Sequence, residues 1–299
     1  MGRQLLREAD TFDCTRAAWF NLTILLGTPS NACNCPIAQC DCARGAEWCR
    51  SFQCITRELG GHVPAIAAGS VDAPQNVILA DEFRDGNVPA GSGNRRVVEK
   101  ALAALPGGID KICLRGDSAL YEHELMRWLD EQAIGYAISA DMSPQLAECI
   151  AALPEDHWKP DREEADALRE WAEVNYLPSD RIWRKDAVSP RRYLAIRIRP
   201  RQGELLRDGN RVRHFCIVTN RSDPENGSGL DLIRWHRGKA GTIEHAHDVL
   251  MNELAGAALP SQKFGANAAW LRLNVILYNL LSAYKRVGLP EELHSSNPG

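Results

Sequence analysis

The chain has 299 residues, a formal net charge of −4, and 44% apolar and 25% charged residues, which is ordinary for a soluble globular protein. The mild acidity argues against a uniformly basic surface. No run of about 18 apolar residues is present, which excludes a membrane span, and no secretory signal is recognisable, so we expect a cytoplasmic protein.

Charge is distributed unevenly along the chain. Residues 141–173 are rich in Asp and Glu, whereas residues 181–239 are rich in Arg and Lys. A basic segment in a mildly acidic protein is compatible with contacts to phosphate. A solvated strand face explains any single arginine equally well.

Residues 1–75 form the first predicted segment, which is aberrant and rich in cysteine. It holds seven of the ten cysteines and shows no clear helical or strand period. The pairs Cys33/Cys35 and Cys40/Cys42 leave zinc binding open, although the C-x-C spacing is not that of common zinc knuckles. The alternatives are a disordered segment and one translated in a shifted reading frame.

From residue 76 the pattern becomes regular and alternates between strands and helices. It predicts, in chain order, a strand at 77–79, a helix at 94–105, a strand at 111–116, a helix reaching about 132, a strand at 134–139 and a helix at 144–153. This order is typical of an α/β sheet with helical crossovers.

The next part of the chain departs from that alternation. Residues of about 155–225 contain three runs rich in β-branched and aromatic residues, which predict an antiparallel β-rich insertion. A short helix at 230–237, a helix starting near Thr242 and a long apolar helix at 268–285 follow. The body therefore extends to about 288, and residues 289–299 are expected to form a flexible tail.

Two acidic positions stand out within these elements. Asp117 follows directly on the apolar strand ending at Gly116, a place suited to facing a ligand, although Asp117 or Ser118 is equally a helix cap. Glu244 lies in the first turn of its helix, sharing a stripe with His247, Asp248 and Met251. A helix dipole favours an acidic first turn without any function.

Three segments together resemble a known family. LADEFRDGNVPAG (79–91), LRGDSALYEHELMRW (114–128) and the stretch from GTIEHAHDVL (241–250) to LNVILYNLL (273–281) resemble the DDE transposases of bacterial insertion sequences, in particular insertion-sequence family 1380. The resemblance runs from about residue 75 to about 288. It implies an RNase H-like mixed sheet flanked by helices, with the β-rich insertion before the Glu helix.

The resemblance also implies a function and a set of site residues. Asp117 matches the second catalytic Asp and Glu244 the catalytic Glu, both as ligands of Mg²⁺, or of Mn²⁺ in its place. The first catalytic Asp, expected on the opening strand, has no match, and neither Asp13 nor Asp41 fills the place convincingly. Arg115 and, just before the Glu helix, Arg237 and Lys239 are candidate DNA contacts.

The implied activity is metal-dependent cleavage and transfer of DNA strands at the inverted repeats of an insertion sequence, by a homo-oligomer associated with the nucleoid. The chain reads as a truncated copy, because the N-terminal DNA-binding region of full-length relatives is not recognisable. The alternatives are a non-catalytic remnant of a decayed element and a stand-alone RNase H-like nuclease, which would cut without terminal-repeat specificity.

Overall fold

The computed structural model describes residues 19–26, 63–71, 77–84, 93–105, 109, 111–163, 167–178, 191–200, 212–221, 228–238, 243–256 and 258–290. These residues build one mixed sheet of nine strands with helices on both faces. The strands are β1 (Trp19–Leu26), β2 (Val63–Val71), β3 (Val77–Arg84), β4 (Lys111–Gly116), β5 (Gly135–Ser139), β6 (Lys159–Glu163), β7 (Ala167–Val174), β8 (Arg192–Pro200) and β9 (Arg213–Thr219).

The described helices lie between and after these strands. They are α1 (Asn94–Ala103), α2 (His123–Glu131), α3 (Pro144–Ala151), α4 (Gly229–Arg237), α5 (Ile243–Asp248) and α6 (Phe264–Gly288). Short 3₁₀ turns form at Ser118–Leu120 and Glu155–His157, and a π-helical turn at Val249–Glu253 continues α5. None of the described helices is long and apolar enough to cross a membrane.

The sheet has the strand order β3-β2-β1-β4-β5-β9-β8-β7-β6. The central strands β1, β4 and β5 are parallel, whereas β2 and β3 run antiparallel on one side. In the register, Ile24 of β1 lies beside Gly116 of β4. The predicted fold class is confirmed: the chain forms an α/β mixed sheet flanked by helices, consistent with an RNase H-like fold.

Each face of the sheet carries its own helices. On one face, α1, α2 and α3 pack their apolar sides, including Val97, Leu125 and Leu146, against Leu114 and Ile138 of the central strands. On the opposite face, α4 covers Ala137, Leu194 and Ile196. The α5 helix, its π-helical turn and α6 form a third apolar cluster with Ile78 of β3.

The β-rich insertion is part of the same sheet. β9 pairs antiparallel with β5, and β8, β7 and β6 add in turn, each antiparallel to its neighbour. The sequence predicted three strands in this region, and the structure adds β6. Its sequence, KPDRE, is charged because β6 forms the outer edge of the sheet, where a polar strand avoids pairing with other chains.

The acidic and basic segments meet in this insertion. Arg192 binds Glu173, and Arg191 of the adjoining loop binds Asp130. Arg197 binds Glu155 and Glu170, and Arg199 shares Glu170. Arg197 also lies 4.2 Å from the centre of the Trp158 ring. Within the described part of this basic stretch, these four arginines are thus engaged with carboxylates of the protein itself.

Two strands come from the cysteine-rich segment 1–75. β1 and β2 lie inside it and pair with each other, so the sheet begins before residue 76. The remaining residues of 1–75, including the paired cysteines, Asp13 and Asp41, lie outside the described residues, as do 291–299 of the predicted tail. Zinc binding, disorder and a shifted reading frame therefore stay predictions.

The long apolar helix α6 packs on the sheet along one side only. Leu271, Val275 and Tyr278 are buried against β3 and the π-helical turn. Asn279 accepts a hydrogen bond from Ile78 N and donates one to Ile78 O, both at 2.8 Å, and so covers the backbone of this edge strand. The sequence predicted a helix packed under the sheet, whereas much of its apolar surface faces solvent.

Candidate active site

Asp117 lies directly after β4, at the carboxyl end of the central strands. Its Oδ1 accepts a hydrogen bond from Ala119 N at 3.2 Å and caps the 3₁₀ turn Ser118–Leu120. The side chain is half-buried. Asp117 can therefore be both a cap and a metal ligand, since the cap uses only one of its two carboxylate oxygens in this contact.

The end of β4 is held by α4. Arg115 Nη1 donates to the carbonyl of Trp235 at 2.7 Å, and His236 Nε2 donates to the carbonyl of Gly116 at 2.9 Å. Arg115 is only 9% exposed, and burial lowers the pKa of its guanidinium. Arg115 therefore lies inside the protein, where it ties β4 to α4, and the structure does not place it as the DNA contact that the sequence predicted.

Glu244 occupies the first turn of α5, and the helix changes character soon after it. Leu254 N bonds to Val249 O at 2.9 Å across five residues, which makes Val249–Glu253 a π-helical turn. Ala255 then adopts a left-handed conformation with φ 56°, and Gly256 N closes on Leu250 O at 2.9 Å. π-Helical turns often mark functional sites.

β1 is the shared neighbour of both candidate residues. It pairs with β4, and both the turn Ser118–Leu120 and helix α5 pack against it. Its sequence is WFNLTILL, so this central strand carries no carboxylate. Beside the end of β4, where the family resemblance places the first catalytic Asp, the strand reads Ile24, Leu25 and Leu26.

The side chains that the structure describes do not complete a two-metal site. Such a site needs three carboxylates from separate elements, and β1 supplies none. Within the described part of the chain, His, Cys, Asp and Glu side chains form no group of three that could hold a metal ion. The described side chains, which do not include that of Glu244, therefore do not by themselves supply the ligands of the metal pair that the fold implies.

Comparison with known families decides the identity of the domain. The family model described as "Transposase DDE domain group 1" matches residues 67–298. The chain belongs to this family. A search of curated proteins gives no match. The match covers β3 to α6 and the end of β2, and it leaves β1 outside the matched range.

The structure also shows an acidic residue at this edge of the sheet that the sequence analysis did not identify as a site residue. Asp141 follows β5, next to the end of β4, and its carboxylate hydrogen bonds to Ser118, the neighbour of Asp117. Partial burial raises the pKa of Asp141, and the hydrogen bond from Ser118 opposes the rise. Its position after a parallel strand was a usable signal, since the carboxyl ends of β4 and β5 lie at one edge.

The two remaining candidate DNA contacts lie at the connection from α4 to α5. Arg237 is the last residue of α4, and its Nη1 lies 3.2 Å from Asp161 Oδ2. Arg234 approaches the same carboxylate at 3.5 Å, so Asp161 contacts two arginines. Lys239 lies outside the described residues, two positions after Arg237 and five before Glu244.

Proposed function

We propose that this chain is a DDE transposase of an insertion sequence that binds DNA but transfers strands poorly or not at all. The observation that carries the proposal is the sequence of β1, the central strand between the Asp117 turn and the Glu244 helix, which has no carboxylate. Family membership supports the transposase class, and the missing carboxylate is the reason for the proposed defect in strand transfer.

In this proposal Asp117 and Glu244 are the two remaining members of the catalytic set. The adjacency of β4, β1 and α5 supports their convergence at one edge of the sheet. Mg²⁺ or Mn²⁺ is the cofactor expected of the class, and two carboxylates would hold it weakly. Loss of one such ligand removes several kcal/mol of transition-state stabilisation, roughly a thousandfold in rate.

The proposed partners are the terminal inverted repeats of the element and its target DNA, bound by a homo-oligomer on the bacterial nucleoid. We assign the element to the insertion-sequence family 1380 type, because three segments in family order resemble it. Arg237 and Lys239 are the proposed phosphate contacts, since they lead into the Glu244 helix. Arg115 has no part in this surface because it is buried.

Each of the two alternatives is weighed against the proposal by a different observation. A stand-alone nuclease would need the same complete carboxylate set, so the sequence of β1 counts against it equally. A non-catalytic remnant of a decayed element is either a DNA-binding or a merely folded protein, and the merely folded remnant differs from the proposed protein in lacking affinity for the element's ends. Binding to the terminal repeats, with random DNA as competitor, separates the two.

The deciding experiment compares the native chain with Asp117→Asn. Both are incubated with Mg²⁺ or Mn²⁺ and a duplex carrying the element's own ends, and with supercoiled plasmid to detect unspecific nicking. We expect the two proteins to cleave equally slowly. Metal-dependent cleavage by the native chain well above that of Asp117→Asn would overturn the proposed defect and indicate that Asp13, Asp41 or another acid supplies the missing ligand.

A gain-of-function variant tests the assignment of the remaining residues. In the backbone register, Thr23 of β1 lies beside Arg115 and Ile24 lies beside Gly116, so Leu25 is level with Asp117. We expect Thr23→Asp or Leu25→Asp to raise metal-dependent cleavage measurably. Adding Glu244→Gln to the active variant should abolish the gain, whereas Glu99→Gln on α1 should not.

A further inference from the structure

The backbone on either side of Asp117 is held by two buried side chains that come from separate helices. Asn94, at the first position of α1, donates from Nδ2 to the carbonyl of Ala119 at 2.8 Å. His236, in the last turn of α4, donates from Nε2 to the carbonyl of Gly116 at 2.9 Å. One of these carbonyls lies immediately before Asp117, and the other lies two residues after it. We call the two donor side chains the Asp117 clamp.

The two members of the Asp117 clamp approach from opposite faces of the sheet. Helix α1 belongs to the apolar cluster that contains Leu114 of β4, whereas α4 belongs to the cluster on the other face, with Ala137 and Leu194. Because both helices are anchored by buried apolar residues, the two donors are themselves fixed in place. The clamp therefore restrains the end of β4 against movement towards either face.

The clamp consists of polar side chains at positions that are closed to solvent. Asn94 is 0% exposed and His236 is 5% exposed. Withdrawal of an amide or an imidazole from water costs free energy that its hydrogen bonds offset, so such a side chain adds little net stability over an apolar one of the same shape. An apolar side chain, however, cannot supply a donor aimed at a particular carbonyl. The polar identity of both residues therefore fits a role in placing the backbone that they hold.

The location of Asn94 within α1 supports the same interpretation. An asparagine at the start of a helix commonly accepts a hydrogen bond from the first turn of its own helix. Here the N-cap is Gly93, which forms no side-chain cap, and the neighbouring Asn94 directs its amide nitrogen to Ala119, 25 residues further along the chain. The polar side chain at the start of α1 thus holds the turn after Asp117.

The clamp acts on the Asp117 carboxylate through the backbone of the turn. Ala119, whose carbonyl is held by Asn94, donates from its own N to Asp117 Oδ1 at 3.2 Å. Leu120 N bonds to the carbonyl of Asp117, also at 3.2 Å. A shift of Ala119 would therefore move the donor that orients the carboxylate. Hydrogen bonds of this indirect kind commonly orient the side chains that bind metal ions.

We propose that Asn94 and His236 are positioning residues, which hold the Asp117 carboxylate in a fixed orientation as a metal ligand. This inference rests on the proposed function, in which Asp117 is one of the remaining ligands. Both residues act through the backbone of residues 116–119. The clamp depends on α1, β4 and α4 and not on β1, so it is retained in a chain whose strand transfer is defective.

Hydrogen exchange in the full-length chain tests whether the clamp holds the turn. Asn94→Leu and His236→Leu each remove one donor and keep a side chain of similar size. We expect the amides of residues 119–121 to exchange about tenfold faster in both variants, the effect of losing one hydrogen bond to a buried carbonyl. Asn267→Leu on α6 is the matched control, because Asn267 is also 0% exposed and donates to the carbonyl of Ser261 at 2.7 Å. It should leave the exchange of the turn unchanged.

Binding of Mn²⁺ alone, followed by electron paramagnetic resonance, tests whether the clamp acts for Asp117. Asp117→Asn defines the part of the binding that depends on this carboxylate. We expect Asn94→Leu and His236→Leu to weaken that part by about tenfold or more, as for other hydrogen-bond partners of metal ligands. His236→Gln keeps a donor and should restore most of the affinity, and Asn267→Leu should bind as the native chain does.

Each step of the inference can fail separately. Unchanged exchange of the turn in both leucine variants would show that the backbone needs no clamp. Faster exchange with unchanged Mn²⁺ affinity would show that the clamp supports only the fold, and either result overturns this inference alone. Mn²⁺ binding that is insensitive to Asp117→Asn would overturn the proposed role of Asp117 as well. Urea unfolding checks that the variants are folded, and Asn94→Ala or His236→Ala replaces a leucine variant that is not.

Discussion

At the scale of single residues, two residues at the end of β4 lie in opposite environments. Asp117 lies at the open end of the strand and caps a turn, whereas Arg115, two positions earlier, is buried under α4. The sequence located Asp117 correctly because a strand end is a local feature. It misplaced Arg115 because the helix that covers it lies 120 residues further along the chain.

The burial of Arg115 gives a direct prediction for stability. Arg115→Met removes the hydrogen bond to the Trp235 carbonyl, and we expect the free energy of unfolding in urea to fall by about 2 kcal/mol. Arg95→Met is the control, because Arg95 is exposed, pairs with Glu99 one turn away and lies 5.2 Å from the centre of the Trp128 ring, so a loss of at most about 1 kcal/mol is expected. A fully stable Arg115→Met protein with weakened DNA binding would restore the original interpretation.

At the scale of elements, the sequence predicted the strands and helices that alternate regularly, but it did not predict β1 or the π-helical turn. The helices and strands from β3 to α3 match their predicted positions within a few residues, because each has a clear period. β1 escaped prediction because its apolar run is short and its flanks show no pattern. The π-helical turn after α5 also escaped, since its residues fit an ordinary helix equally well.

Gly256 closes that π-helical turn and permits a specific test. A Cβ at this position would lie 2.5 Å from the carbonyl oxygen of Leu250, a backbone atom that cannot step aside. Gly256→Ala should therefore lower the free energy of unfolding by about 1–3 kcal/mol, measured in urea. Gly265→Ala on α6 is the matched control, because a Cβ there meets nothing within 4 Å. It should be neutral or slightly stabilising.

A tyrosine pair, of which Tyr193 is buried and Tyr121 partly buried, joins the Asp117 loop to the β-rich insertion. Tyr121, just after the 3₁₀ turn, and Tyr193 of β8 share a hydrogen bond of 3.1 Å between their hydroxyl groups. Burial raises the pKa of Tyr121 to about 12 and raises that of Tyr193 as well. In the unfolded chain both hydroxyls would titrate near pH 10.

This pair should make the fold sensitive to alkali. Above about pH 10 the unfolded chain releases these protons while the native chain retains them, so stability is present below that pH and falls as pH rises towards 12. The double variant Tyr121→Phe/Tyr193→Phe should show a shallower loss of unfolding free energy between about pH 9 and 11. Tyr284→Phe, at an exposed position, should keep the native pH profile.

At the scale of the whole molecule, one sheet unites parts of the chain that read as separate segments. The insertion continues the central sheet through β9, and its carboxylates and arginines form pairs across it. A sequence shows that acidic and basic stretches exist, but it does not show that they meet. Helix α6 illustrates the same limit, because the sequence predicted that it packs under the sheet but did not show which of its sides faces solvent.

The basic residues at the α4–α5 connection lead to a prediction about the salt dependence of DNA binding. Arg237→Gln and Lys239→Gln should each reduce the slope of log binding constant against log salt concentration by about one, as expected for loss of one phosphate contact. Arg192→Gln is the matched control, because Arg192 lies on β8 within the β-rich insertion and not at the α4–α5 connection, and it should leave the slope unchanged. The measurement is a fluorescence-anisotropy titration with duplex DNA over a range of salt concentrations. A lower slope for Arg192→Gln, with unchanged slopes for the other two, would move the DNA surface from the α4–α5 connection to the β-rich insertion.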